Sequence, residues 1–136
     1  MKDLKTITIL FRCVDRFQSE ISSSVNEMGL SLTSFMALEA LYHKGPLNVA
    51  QLQSKVLIAN SSLSYVIEQL ALKDLIHIEN DPDDRRRKVC SLTSKGKQIM
   101  SEVYPKHVID QRIRLDRLTQ DEELQLQGLL KKIGLD

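Results

Sequence analysis

The sequence is short of the features that mark most specialised classes of protein. Only two cysteines, Cys13 and Cys90, occur in 136 residues. A secreted disulfide framework needs more of them at closer spacing, so both thiols are expected to be reduced. There is no excess of charge: 19 basic residues oppose 18 acidic ones, a net of +1. That excludes a bulk polycation, and any contact with nucleic acid has to come from a local patch. No apolar run approaches the roughly 18–20 residues that span a bilayer, so no membrane partner is expected. The opening residues Met1-Lys2-Asp3-Leu4-Lys5 lead into a charged helical pattern without a small-residue cleavage site. They do not read as a signal peptide, and a cytoplasmic location is expected. There is no Gly-x-Ser-x-Gly, no glycine-rich phosphate loop and no pair of catalytic carboxylates. The three histidines, His43, His77 and His107, lack a ligand spacing such as His-x-x-x-His. An enzyme, a cofactor and a metal site are therefore all unexpected. Internal repeats and low-complexity tracts are missing too.

What is present is globular. Hydrophobic residues make up 42% of the chain and charged residues 27%, a balance that suits one folded domain rather than disorder. From residue 4 to 28 the apolar positions are Leu4, Ile7, Leu10, Phe11, Val14, Phe17, Ile21, Val25 and Met28. They recur every three or four residues, which is one face of a helix. At about seven turns that helix is long for so small a chain, and part of its stripe is expected to lie against another subunit. Gly29 closes it. A second helix starts near Thr33 and stops at Gly45-Pro46. Asn48 is suited to cap a short helix over 49–56, and Asn60-Ser61-Ser62 to cap the next, which runs to about Lys73. Two strand candidates follow, 75–79 and 88–92, joined by the turn-prone Asn80-Asp81-Pro82-Asp83-Asp84-Arg85-Arg86-Arg87. Thr93 caps a helix that continues past Pro105, where a kink is expected. Thr119 and Glu122 form a capping box for a last helix with Leu124, Leu126, Leu129, Leu130 and Ile133.

The predicted fold is mainly α with a small β wing. Two short adjacent helices followed by a hairpin make a winged helix-turn-helix over residues 32–97. It is flanked by an N-terminal dimerisation helix, 1–31, and C-terminal dimerisation helices, 98–136, in one compact chain. The segments SLTSFMALEAL, KGPLNVAQLQSKV, SSLSYVIEQLALKDLI and DPDDRRRKVCSLTSKG, which make up most of this region, resemble the MarR family of winged-helix transcriptional regulators. The last segment is the most specific: an Asp-Pro-x-Asp-Arg-Arg wing, a strand, then Leu-Thr-x-x-Gly. The terminal helices extend the likeness over nearly the whole chain. The resemblance implies a triangular homodimer bound to a pseudo-palindromic operator on double-stranded DNA, mostly as a repressor. It also implies release by a small phenolic or lipophilic effector, or by cysteine oxidation.

A helix of this kind enters the major groove with its N-terminal residues near the base edges. The candidates are Asn60, Ser61, Ser62, Ser64, Tyr65 and Gln69, with the plain alternative that Asn60 and Ser61 only cap the helix. Where the family often carries Arg or Lys, this chain has Tyr65 and Gln69, and residues 59–70 contain no cation. Asp74 stands where the family commonly has Gly. The positive charge is in the wing, at Arg85, Arg86, Arg87 and Lys88. A strand alternates its faces, so these four are not expected to contact DNA together. Arg86 is assigned to a narrow A·T minor groove, and Asp84 is expected to orient its guanidinium through a bidentate bond. Over residues 48–97 there are eight basic and six acidic side chains, so one subunit alone should bind weakly and a dimer gains by avidity. By resemblance, an effector pocket is expected where the terminal helices meet the DNA-binding part, with Phe11, Val14, Phe17, Met36 and Tyr42 as candidate walls. Cys13, beside Arg12 and Arg16, is either a plain buried cysteine or a redox switch; Cys90 is expected to pack. Two rival functions follow. One is a redox-sensing regulator switched through Cys13; the other is a winged-helix protein-interaction module that no longer binds DNA.

Overall fold

The computed structural model describes residues 2–56 and 63–135. Six helices and three short strands follow one another: α1 (Lys5–Asn26), α2 (Leu32–Lys44), β1 (Leu47–Asn48), α3 (Val49–Lys55), α4 (Leu63–Leu72), β2 (Ile76–Asn80), β3 (Lys88–Leu92), α5 (Ser94–Leu115) and α6 (Gln120–Gly134). The chain forms two compact units, Met1–Tyr104 and Pro105–Asp136. Their boundary falls inside α5, at the proline, which has no N–H to give to the carbonyl one turn back.

Local chemistry sets most of the helix ends. The Asp3 carboxylate accepts the Lys5 N–H at 3.0 Å, just ahead of α1. After α1, Gly29 takes φ +79° and the Leu30 N–H reaches back to the Val25 carbonyl, a closure that favours glycine. Ser31 caps α2 by accepting the Ser34 N–H. Asn48 caps α3 as expected, and Gln51 returns the bond to the Asn48 N–H in a complete capping box. Thr119 and Glu122 do the same for α6. After α4 the left-handed position is filled by Asp74, at φ +60°, rather than by glycine.

The sheet corrects one expectation. It has three strands, not two, in the order β1-β3-β2 and antiparallel throughout. The additional strand is only Leu47–Asn48, paired with Cys90 and Val89. Asn48 therefore belongs to the wing sheet and starts α3 as well. The core of the first unit gathers Val25, Phe35, Leu38, Leu52, Leu70, Cys90 and Met100, each nearly inaccessible to water. One residue or more comes from every helix of the unit and from the middle of the sheet. Each such aliphatic or aromatic side chain contributes about 1.5–3 kcal/mol by leaving water.

The Leu-Thr-x-x-Gly motif has a structural cause. The Thr93 hydroxyl donates to the Asp74 carbonyl at 2.6 Å and accepts the Gly96 N–H at 3.0 Å. The Thr93 N–H bonds the Leu75 carbonyl. Gly96 packs so tightly on this knot that a Cβ there would lie 2.1 Å from the Leu75 oxygen. The base of the wing, the end of α4 and the first turn of α5 are thus fastened at one point.

Candidate nucleic-acid interface

The candidate interface consists of α4 and the hairpin between β2 and β3. On α4 the residues Leu63, Val66, Ile67 and Leu70 are buried. That leaves Ser64, Tyr65 and Glu68 exposed and Gln69 half-buried on the opposite face. Tyr65 is 62% exposed, so it does not serve as core packing. Asn60, Ser61 and Ser62 lie outside the described residues. Lys95 donates its ammonium to the Lys73 carbonyl at 3.2 Å and so caps the far end of α4, where the helix dipole favours a cation.

The wing tip is a tight, hydrogen-bonded turn. The Asp81 N–H bonds the Arg87 carbonyl at 2.9 Å, and the Arg87 N–H bonds the Asp84 carbonyl at 3.0 Å. Side-chain oxygens of Asp81 and Asp84 accept the N–H groups two residues on, those of Asp83 and Arg86; aspartate commonly closes turns this way. Arg85 and Arg86 are the central residues of the turn, so alternation along a strand does not separate them. Arg85, Arg86, Arg87 and Lys88 are all exposed.

Asp84 lies under the tip, and its contacts differ from the bidentate bond expected. Its Oδ1 accepts the backbone N–H of Arg86 at 3.0 Å and lies 3.6 Å from the Arg86 Nε. Its Oδ2 lies 3.7 Å from the Arg87 Nε. The carboxylate is shared between two arginines because the turn brings both over it. The Arg86 side chain is 94% exposed. Such solvated pairs contribute about 0–1 kcal/mol, so the guanidinium stays available to a stronger anion. A groove of about 320 Å³ runs between the wing and the start of α3, lined by Asn48, Val49, Ala50, Arg86, Arg87 and Lys88. The α3 residues of this groove escaped the sequence reading, because their nearness to the wing depends on the two-residue strand β1.

The remaining candidates are more scattered. A concavity of about 430 Å³ is lined by Leu41, Tyr42, Gly45, Pro46, Ser91, Leu92, Lys97 and Ser101. Of the five expected pocket residues only Tyr42 lines it. Its ring also lies 5.9 Å from that of Tyr104 and 5.5 Å from that of His43. Phe11 and Val14 are exposed, at 68% and 45%, while Phe17 and Met36 are half-buried. The first helix turns its stripe outward along this stretch, so Phe11 and Val14 wall no part of that concavity. Cys13 is exposed rather than buried. Cys90 packs at the centre of the sheet, and burial pushes its thiol pKa up, which keeps it in the unreactive protonated form. Among the described residues no group of three or more His, Cys, Asp and Glu is placed to hold a metal ion. Nor is any helix among them long and apolar enough to cross a membrane.

In the second unit, Arg112 joins α5 to α6. It donates to both carboxylate oxygens of Glu123, at 2.7 and 3.0 Å, and through Nε to Asp116 at 3.0 Å. The bond to Glu123 raises the Arg112 pKa, and Arg112 in turn holds the Glu123 carboxyl below its ordinary value.

Comparison with known proteins agrees with this geometry. The model of the MarR family matches residues 30–88, which run from the end of the first helix through the wing turn. The HTH-type transcriptional regulator MhqR of Bacillus subtilis is 30% identical over 135 residues, 99% of this chain and 93% of that protein. Among solved structures, the Streptomyces coelicolor MarR-family regulator Sco3205, crystallised with DNA, superposes with a TM-score of 0.84 at 18% identity. The match covers 98% of this chain and 91% of that one. BpsR of Bordetella bronchiseptica, whose DNA binding is regulated by 6-hydroxynicotinic acid, gives 0.83 at 23% identity over 95% and 98%. At these identities the two structures establish the fold.

Proposed function

Because the chain belongs to the MarR family and is a DNA-binding transcriptional regulator, we propose that it works as a cytoplasmic, homodimeric repressor on a pseudo-palindromic operator. The observation that carries this is the pairing of a solvent-facing polar side of α4 with an arginine turn free of strong partners. In this reading α4 enters the major groove at Ser64, Tyr65 and Gln69. The segment holding Asn60, Ser61 and Ser62 approaches the backbone and bases beside it. Arg86 enters the flanking minor groove, while Arg85, Arg87 and Lys88 neutralise phosphates.

The second subunit is covered by the same logic. Ile7, Phe11 and Val14 on α1, and Leu124, Leu129 and Ile133 on α6, all face solvent. Each stripe is exposed apolar surface of the kind that supports an interface, and pairing two subunits doubles the phosphate contacts. The concavity beside Tyr42, Lys97 and Ser101 falls within the roughly 300–1,000 Å³ of ligand sites. A compact aromatic effector there releases DNA by favouring the spacing of recognition helices that does not fit the operator. Redox release through the exposed Cys13 is the second reading, and operator affinity unchanged by peroxide would remove it.

The test is duplex binding by the full chain. Operators selected from a random pool should be held tightly, with log affinity falling by about 0.9 per neutralised phosphate against log salt. Arg86→Ala should weaken binding by about 1–3 kcal/mol without loss of helix content. An affinity indifferent to salt, or to the loss of Arg86, would overturn the assignment.

A further inference from the structure

The outward face of α4 is short of positive charge. From Val56 to Leu72 the sequence has no Lys or Arg, and its only charged residue is Glu68. The face presents Ser64, Tyr65 and Glu68 to solvent, with Gln69 at its edge. These positions, i, i+1, i+4 and i+5, form one stripe, opposite the buried Leu63, Val66, Ile67 and Leu70. The cations of the region are elsewhere, in the wing turn and at Lys55, Lys73, Lys95 and Lys97.

That chemistry discriminates among bases. In the major groove guanine shows two acceptors, N7 and O6, and the commonest contact to them is a bidentate Arg or Lys. A carboxylate only accepts hydrogen bonds, so Glu68 repels the guanine edge and suits the amino group of adenine or cytosine. A glutamine side chain matches the N6 donor and N7 acceptor of adenine. The exposed tyrosine ring offers an apolar contact to the thymine methyl group.

Resting on the regulator reading above, we infer that α4 reads its half-site through adenine edges and thymine methyl groups and not through guanine. Gln69 pairs with an adenine, Tyr65 packs on a thymine methyl, and Glu68 excludes guanine from the base it faces. Specificity is then carried by a helix that adds almost nothing to non-specific attraction, while the wing supplies that attraction.

The experiment uses the full chain and duplexes it selects from a random pool. Within the half-sites, adenine is replaced by 7-deazaadenine, thymine by uracil, and guanine by 7-deazaguanine, in three separate duplexes. The first two should weaken binding roughly five- to hundred-fold, and the third should leave it unchanged. Gln69→Ala should weaken binding to the unmodified duplex and lose the penalty for 7-deazaadenine, which a purely structural role for Gln69 would leave in place. A penalty for 7-deazaguanine as large as the other two, or no penalty from any of the three, overturns the inference. Failure to retain any duplex at low salt overturns instead the regulator reading on which it rests.

Discussion

The winged module and the terminal helices treat apolar side chains in opposite ways. In the module, Phe35, Leu38, Leu52 and Leu70 close on one another until almost no surface is left to water. On α1 and α6, Phe11, Leu124, Leu129 and Ile133 keep more than half of theirs, as do Ile109 and Ile113 on the second half of α5. Composition does not explain the contrast, because both regions draw on the same aliphatic residues in helical rhythm. The difference lies in completeness. The first region holds its own core within one chain, and the second leaves its apolar stripes open to water, as the proposed pairing of two subunits requires. A change in the module should therefore cost stability of the subunit, and a change in the terminal stripes should cost association.

The strongest way to break that distinction is Gly96→Ala. The new methyl meets backbone, the Leu75 carbonyl oxygen, with no flexible side chain to yield. Loss of about 3 kcal/mol or more is expected, read as a fall of roughly 10 °C in the thermal midpoint. The matching change in the other region is Phe11→Ser. It should shift the mass of the proposed dimer, seen by light scattering, from two chains towards one, costing about 2 kcal/mol per subunit in association. The circular dichroism of the subunit should be unaltered. If Phe11→Ser melts the subunit instead, the contrast is wrong. Smaller and opposite in sign is Asp74→Gly. A glycine relieves the left-handed backbone at φ +60° and should stabilise by about 0.5–1 kcal/mol in denaturant titration.

The smallest effect is that of pH on the second unit. Arg112 holds the Glu123 pKa below its ordinary value, so the ionised form favours the fold. Its contribution is complete above the unfolded glutamate pKa of about 4.3 and disappears as pH falls through the lower folded one. An NMR titration of the Glu123 carboxyl should show the depressed midpoint, and Arg112→Gln should return it to the ordinary range.

Features set by neighbours in sequence were legible before any coordinates. Asn48 with Gln51, Thr119 with Glu122, and the glycine closures at 29 and 45 are decided within one turn of chain. The arginine-rich turn between two strands was legible for the same reason. What escaped depends on distant partners. Strand β1 is two residues long and exists because Val89 and Cys90 pair with it. The spacing of Asp84 and Arg86 predicts a contact between them, but the sharing of that carboxylate between Arg86 and Arg87 follows from the curl of the turn. The expected pocket residues Phe11 and Val14 belong to a real helical stripe. Periodicity finds such a stripe and says nothing of what it will meet.

The knot at Thr93 has a consequence for genetics. One hydroxyl and one missing methyl keep the hairpin's root in register with the reading helix, although neither residue need come near a nucleotide. For the repressor proposed above, a screen for derepressed colonies should therefore recover position 96 alongside base-contacting sites. Only purified protein, assayed for integrity before affinity, will tell the broken scaffold from the blinded reader.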